Sequence, residues 1–211
     1  MPFTLDEMPD RLRKQLAFII EIDKLKSILR RNDLIHESRK ENDAEHSWHL
    51  AVMAVLLHEY ASAPNLDLLR VLKMILIHDV VEIDAGDSFL YAVNGAEEKE
   101  RKEKAAADRI FALLPPDQCD QMRALWDEFE AGVTPEAEFA KAMDRLQPLL
   151  LNYCTEGRDW KEHHITLDKP LGLGPNVIAR SSEVLADYAR KLLHSAAELG
   201  YFHNPGDPVK E

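Results

Sequence analysis

Only two cysteines, Cys119 and Cys154, occur in 211 residues. That is too few for a disulfide-stapled secreted scaffold, so a reducing compartment is expected, with both thiols serving as small buried hydrophobes. Eight glycines and 11 prolines exclude a fibrous or low-complexity chain. No uninterrupted apolar run exceeds Leu50 to Leu57, far short of the ~20 residues that span a bilayer. The opening stretch MPFTLDEMPDRLRKQL has no positive region followed by an apolar segment, so a soluble cytoplasmic protein is expected. Basic residues are scarce as well. Lys+Arg 26 against Asp+Glu 38 leaves a net charge of −12. Such a surface repels phosphate backbones, which excludes general nucleic-acid binding; a small anion needs a local cation to hold it.

What is present is an apolar fraction of 45%, enough for a real core, arranged with helical periodicity. Leu12, Leu16, Ile19, Ile20, Leu25 and Ile28 draw one face of a helix from Arg11 to about Arg31. Residues 32–41 are mostly polar and read as a loop. Asn42 with Glu45 three positions on forms a capping-box pattern ahead of a helix running to Tyr60. Asp67 caps a third helix that ends at His78. Residues 83–95 read as a loop. Further helices are expected over 97–114, 117–131 and 135–156, the last with Pro148 as a kink. Residues 157–176, with three Gly and two Pro, read as irregular. A final helix spans 177–199 and Gly200 ends it. No alternating β-branched run and no repeat is visible. The expected fold is all-α, one domain over 1–211, with its core over about 10–195 and a tail from 201.

Chemistry concentrates at His78-Asp79, a His and an Asp closing an apolar turn, where burial costs desolvation unless something pairs with them. His46 opens the preceding helix. Asp144 lies mid-helix in Phe139–Leu146, where a buried carboxylate needs an Arg or a metal as partner. Two imidazoles and two carboxylates from three helices form a plausible mixed N/O shell for one divalent transition metal. Mn, Co, Fe, Ni and Zn all suit that donor set.

These residues resemble a known family. The order His46, His78-Asp79, Asp144 is similar to the HD-domain metal-dependent phosphohydrolases. Arg39–Ser47 resembles the RxENxxEHS segment, and His78–Asp87 the HDxxExxxGD segment, of the branch that contains the 5′-deoxynucleotidases. The resemblance implies an all-helical HD fold, often a homodimer, that removes the 5′-phosphate from nucleoside monophosphates. It implies His46, His78, Asp79 and Asp144 as metal ligands, Glu82 and Asp87 as the acidic residues of the reaction, and Arg31 as a phosphate-orienting residue. Asn32 stands where that branch has a Trp near the sugar, so strict rejection of ribonucleotides is not implied.

No His occurs between Val80 and Met143, which disfavours a dinuclear site and oxygen activation. The expected chemistry is metal-assisted attack of water, with Glu82 taking the water proton and Asp87 near the leaving 5′ oxygen, or the reverse. Rival readings are hydrolysis of another phosphorylated nucleotide (a nucleoside triphosphate or guanosine tetraphosphate), a non-catalytic metal-binding regulator, and a diiron oxidase. Arg39 has two readings, contact with phosphate or pairing with Glu41 or Glu45. Lys141 reads as structural, Glu45 as a cap, Trp48-His49 as core and His58 and His194 as surface. His163-His164, after Trp160, lies in an expected loop, and a role in covering the pocket is the weaker reading of it. Gly172-Leu173-Gly174 lacks the strand that a dinucleotide loop requires.

Overall fold

Ten α-helices are found among residues 9–87 and 96–203, the part of the chain that the computed structural model describes. The first, α1, spans Asp10–Ile22 and passes into a 3-10 turn over Asp23–Ser27. The expected single helix to Arg31 is therefore cut short. Leu29–Asp33 instead forms a strand, β1, paired antiparallel with β2, Lys40–Asn42. The hairpin takes up both ends of the stretch read as a loop, 32–33 and 40–41, and only its turn, 34–39, keeps that character.

Helix α2, Asp43–Leu57, starts at the expected cap: Glu45 N–H donates to Asn42 Oδ1 at 3.0 Å, and Asn42 N–H to Glu45 Oε2 at 3.2 Å. A 3-10 turn carries it from His58 to Tyr60. Helix α3, Leu68–Ile77, is capped by Asp67, whose Oδ1 accepts from Arg70 N–H at 3.1 Å. The next turn, His78–Val81, tightens into 3-10 geometry before the short α4, Glu82–Ala85. The end of the expected 83–95 loop, from 88 to 95, lies outside the described residues, as does the tail from 204.

Helices α5 (Ala96–Phe111), α6 (Pro116–Ala131) and α7 (Pro135–Cys154) follow the sequence reading within a few residues, with Pro148 inside α7. The 157–176 segment is not irregular. It holds α8, Arg158–Glu162, and most of α9, Asp168–Ala179. Glycine and proline weaken a helix in isolation, but here the small residues let α9 lie close on α7: a Cβ at Gly174 would sit 3.2 Å from Leu149 Cδ1. The last helix is likewise split, because Ser182 caps a separate α10, Glu183–Glu198, by accepting from Leu185 N–H at 3.3 Å.

One core joins these helices. Leu50, Met74, Ile75, Ile110, Phe139, Met143, Ile178 and Leu193 are all fully enclosed. α7 runs through it and buries Phe139, Met143 and Leu146. Three expectations of burial fail, the first at Cys119, which is only partly buried. Trp48 is 66% exposed, beside Val52 and Leu56 on the outer face of α2, and Cys154 is exposed at the end of α7. No described helix is long and apolar enough to cross a membrane.

Candidate metal centre

α2, the end of α3 and the middle of α7 meet at one point, and each carries a buried ionisable side chain there. His46 is wholly buried, His78 is 4% exposed, and Asp79 and Asp144 are 9% exposed each. His46 Nε2 lies 3.1 Å from Asp144 Oδ1 and 3.9 Å from Asp79 Oδ2. His78 Nε2 lies 3.1 Å from Asp79 Oδ1 and 3.9 Å from Asp144 Oδ1. The structure thus gathers all four residues singled out in the sequence.

The far nitrogen of each ring is already engaged. His78 Nδ1–H donates to the carbonyl of Ile75 at 2.7 Å, a consequence of its place at the helix end. His46 Nδ1–H donates to Gln147 Oε1 at 3.1 Å. The Gln147 amide is itself oriented, since its Nε2 donates to Glu41 Oε1 at 2.7 Å. These partners assign the tautomers: both Nδ1 atoms carry protons, and both Nε2 atoms turn their lone pairs toward Asp79 and Asp144. Lone pairs facing carboxylates at such distances require a proton or a cation between them. Moreover, His78 Nε2 is buried with no hydrogen-bond partner among the described residues. Two imidazole nitrogens held by outer hydrogen bonds, with two carboxylates opposite, fit a divalent transition metal.

The electrostatics agree. Burial pulls the His78 pKa down, but Asp79 and Asp144 outweigh it and hold it at about 9. For His46, burial and Arg30 act downward, yet Asp144, Glu41 and Asp79 leave a net rise. Asp79 and Asp144 are buried too, which would raise them; the imidazoles with Arg30 or Arg145 instead hold both below the usual carboxylate range. Glu82 is different. Burial, then the charges of Asp79 and Asp43, push it up to about 12.

Four further participants surround the centre, and of these only Glu41 falls on a fixed position of the RxENxxEHS segment. Arg30, on β1, donates to Asp79 Oδ2 at 2.9 Å and Asp43 Oδ1 at 3.3 Å, and its Nε lies 3.8 Å from Glu41 Oε2. It is the cation inside a second carboxylate group, Asp43, Asp79 and Glu82, whose oxygens lie within 4.8 Å of one another. Glu41, Asp43 and Gln147 complete the set, each at most 2% exposed.

A cleft of about 190 Å³ opens onto this centre. His78, Asp79, Glu82, Asp87 and Asp144 line it together with Arg31, Asn32, Lys99, Lys141 and Arg145. Asp87 is among these lining residues, its pKa raised by burial. Arg39 is not among the lining residues. It pairs with Glu45 at 2.6 Å and with Glu37 at 3.2 Å on the exposed side of the hairpin, which is the surface-pairing alternative. Lys141 donates to the Glu130 carbonyl at 3.1 Å and lies 5.1 Å over the Phe129 ring. His49 reaches the Gln147 amide at 3.3 Å. His163 joins Asp159 and Glu162 in another close group, in which Lys40 already pairs with Glu162 at 3.0 Å.

Comparison with known proteins places this geometry. A 5′-deoxynucleotidase HDDC2 from Xenopus laevis is 32% identical over 136 residues, 64% of this chain and 66% of that protein. The Homo sapiens protein of the same name is 27% identical over 191 residues, 88% of this chain and 92% of its own. A solved structure described as a predicted metal-dependent phosphohydrolase from Magnetospirillum magnetotacticum superposes with a TM-score of 0.87 at 50% identity, covering 93% of this chain and all of that one. The HD domain family profile matches residues 22–185. With its paired imidazoles and carboxylates at the meeting of three helices, the chain belongs to the HD domain family.

Proposed function

We propose that the protein is a metal-dependent phosphohydrolase that removes the 5′-phosphate from nucleoside and deoxynucleoside monophosphates, with one tightly held divalent ion per chain. The observation that carries this reading is the convergence of two tautomer-fixed Nε2 atoms on two buried carboxylates at the wall of a cleft. His46, His78, Asp79 and Asp144 would hold the ion, and Mn, Co, Fe, Ni or Zn would suit them. When bound, a divalent ion supplies Lewis acidity to a phosphate oxygen and eases deprotonation of water. A single ion is favoured because Arg30 already neutralises the Asp43–Asp79 side.

The remaining chemistry belongs to the chain. Glu82 lies a turn beyond Asp79 at the cleft wall and would take the proton from the attacking water once a cation beside Asp79 offsets the charges of Asp79 and Asp43 that hold its own proton on. Asp87, which also lines the cleft, serves the departing 5′ oxygen. Phosphate monoesters arrive as anions at a protein of net charge −12, so attraction must be local. Arg31, Lys99, Lys141 and Arg145 provide it from the cleft walls. Asn32 leaves more room beside the sugar than a Trp would, which supports acceptance of ribose as well as deoxyribose. A homodimer is the proposed assembly, supported by the exposed apolar face of Trp48, Val52 and Leu56.

A panel of nucleoside mono-, di- and triphosphates with phosphate detection, with and without chelator, tests the function. Hydrolysis of monophosphates that stops on chelation and returns with added metal is expected. Full activity in metal-free protein refutes it.

A further inference from the structure

The cleft has a far end that the metal centre does not use. Asp144, Arg145, Pro148, Leu149 and Asn152 follow one another along α7 as its wall, and Asp159 of α8 extends it. At a helical rise of 1.5 Å per residue, Asp144 to Asn152 covers about 12 Å. That is the scale of a nucleotide from its phosphate to the outer edge of its base. Pro148 and Leu149 supply an apolar stretch between the two ends, suited to the face of a ring.

Two acceptors wait at the far end. Asn152 is 3% exposed; its Nδ2 donates to the Pro148 carbonyl at 3.1 Å, and its buried Oδ1 has no hydrogen-bond partner among the described residues. Asp159 is 4% exposed. Burial raises its pKa, while His163, Lys40 and the Asn152 side chain act in the opposite direction. Asp159 Oδ1 lies 3.4 Å from His163 Nε2. A buried amide oxygen without a donor carries a desolvation cost that a ligand N–H can relieve.

Resting on the nucleotide phosphohydrolase reading, we propose that Asn152 and Asp159 recognise the base and that they select guanine. Among the common bases, guanine alone presents two neighbouring donors on its outer edge, the ring N1–H and the exocyclic amine. A carboxylate accepts both side by side, and an amide oxygen next to it takes a remaining N–H. Adenine and cytosine set a ring acceptor beside their amine, which a carboxylate repels. Thymine and uracil offer one N–H between two carbonyls. A site of buried acceptors discriminates against ligands that leave those acceptors unpaired.

The test uses the metal-loaded full chain and the 5′-monophosphates of deoxyguanosine, deoxyinosine and deoxyadenosine, with deoxyribose 5-phosphate as the base-free reference. Deoxyinosine monophosphate lacks only the exocyclic amine. Wild-type kcat/KM is expected to favour deoxyguanosine monophosphate over the other two nucleotides by at least about tenfold, the worth of one hydrogen bond to a charged group. Asp159→Asn, and separately Asn152→Leu, should lower the ratio of deoxyguanosine monophosphate to deoxyribose 5-phosphate by a similar factor. Equal wild-type rates on the guanine and hypoxanthine nucleotides overturn the proposal. So does a loss in Asp159→Asn that is the same on the base-free substrate, as a merely structural role would give. Calorimetry with deoxyguanosine and deoxyadenosine separates the two readings. Selective binding of deoxyguanosine, lost in Asp159→Asn, with no turnover of any substrate would sink the phosphohydrolase and sustain the base site. Turnover without base preference in either assay would do the reverse, and neither turnover nor binding would overturn both.

Discussion

Replacing Gln147 by Leu probes the part of the centre that positions rather than reacts. The wild-type amide joins two buried groups, donating to Glu41 at 2.7 Å and accepting from His46 at 3.1 Å. Leucine has similar bulk and neither function. Glu41, 2% exposed, then loses a hydrogen bond to a charged acceptor, and His46, fully buried, loses the acceptor for its Nδ1–H. Together these losses would amount to roughly 3–6 kcal/mol. Part is recovered, because Glu41 Oε2 stands 3.6 Å from His46 Nδ1 and can take over its proton. A net loss of about 3 kcal/mol corresponds to a fall in Tm of about 6–12 °C for a chain of this size. Held only by that longer contact, the ring also binds metal less well, by up to about 10–100-fold, since a well-made outer hydrogen bond fixes its orientation and tautomer. Scanning calorimetry and metal titration followed by competition with a chelator read both effects. A Tm within about 2 °C of wild type together with unchanged metal affinity would refute the reasoning.

Arg30→Met leaves Asp43, Asp79 and Glu41 without their cation, and a cost of about 3–5 kcal/mol is expected, seen as a lowered Tm that added divalent metal partly restores. An unchanged melt in metal-free buffer contradicts it. Gly157→Ala places a Cβ 2.0 Å from the Tyr201 carbonyl oxygen at a φ of +67°, so a loss exceeding about 1 kcal/mol is expected in denaturant unfolding; wild-type stability there would be inconsistent with the packing of α8 on the C-terminal segment. Asp159 gives a pH signature. Its folded pKa is raised by burial, so its ionised form costs stability above that value and the cost disappears as pH falls through it toward the unfolded value. Asp159→Asn should therefore melt above wild type at neutral pH, with the gap closing in acid; a gap that widens in acid reverses the sign.

The sequence carried the centre more clearly than its surroundings. His78-Asp79 is conspicuous because two ionisable residues close the apolar turn of α3, and the Asn42–Glu45 box fixes the start of the helix that presents His46. Asp144 stands out against the apolar residues of α7. Arg30 had no such contrast: Arg30 and Arg31 are adjacent in a short polar stretch and both line the cleft, and it is the folded position of Arg30 that sets it on the carboxylates of Asp43 and Asp79. Gln147 looks like any polar residue on a helix until Glu41 and His46 are seen on either side of it. Elsewhere, the propensities of Gly172, Gly174, Pro170 and Pro175 argue against a helix, and α9 forms because close packing on α7 outweighs them. Trp48 shows the opposite limit. Its size suggests core, yet its position on α2 faces outward.

The central claim is tested most directly by anomalous diffraction from crystals of the manganese-loaded protein. The account predicts one strong peak within ligand distance of His46 Nε2, His78 Nε2 and the carboxylates of Asp79 and Asp144. A peak missing from that position, or found instead among Asp159, Glu162 and His163, would contradict it.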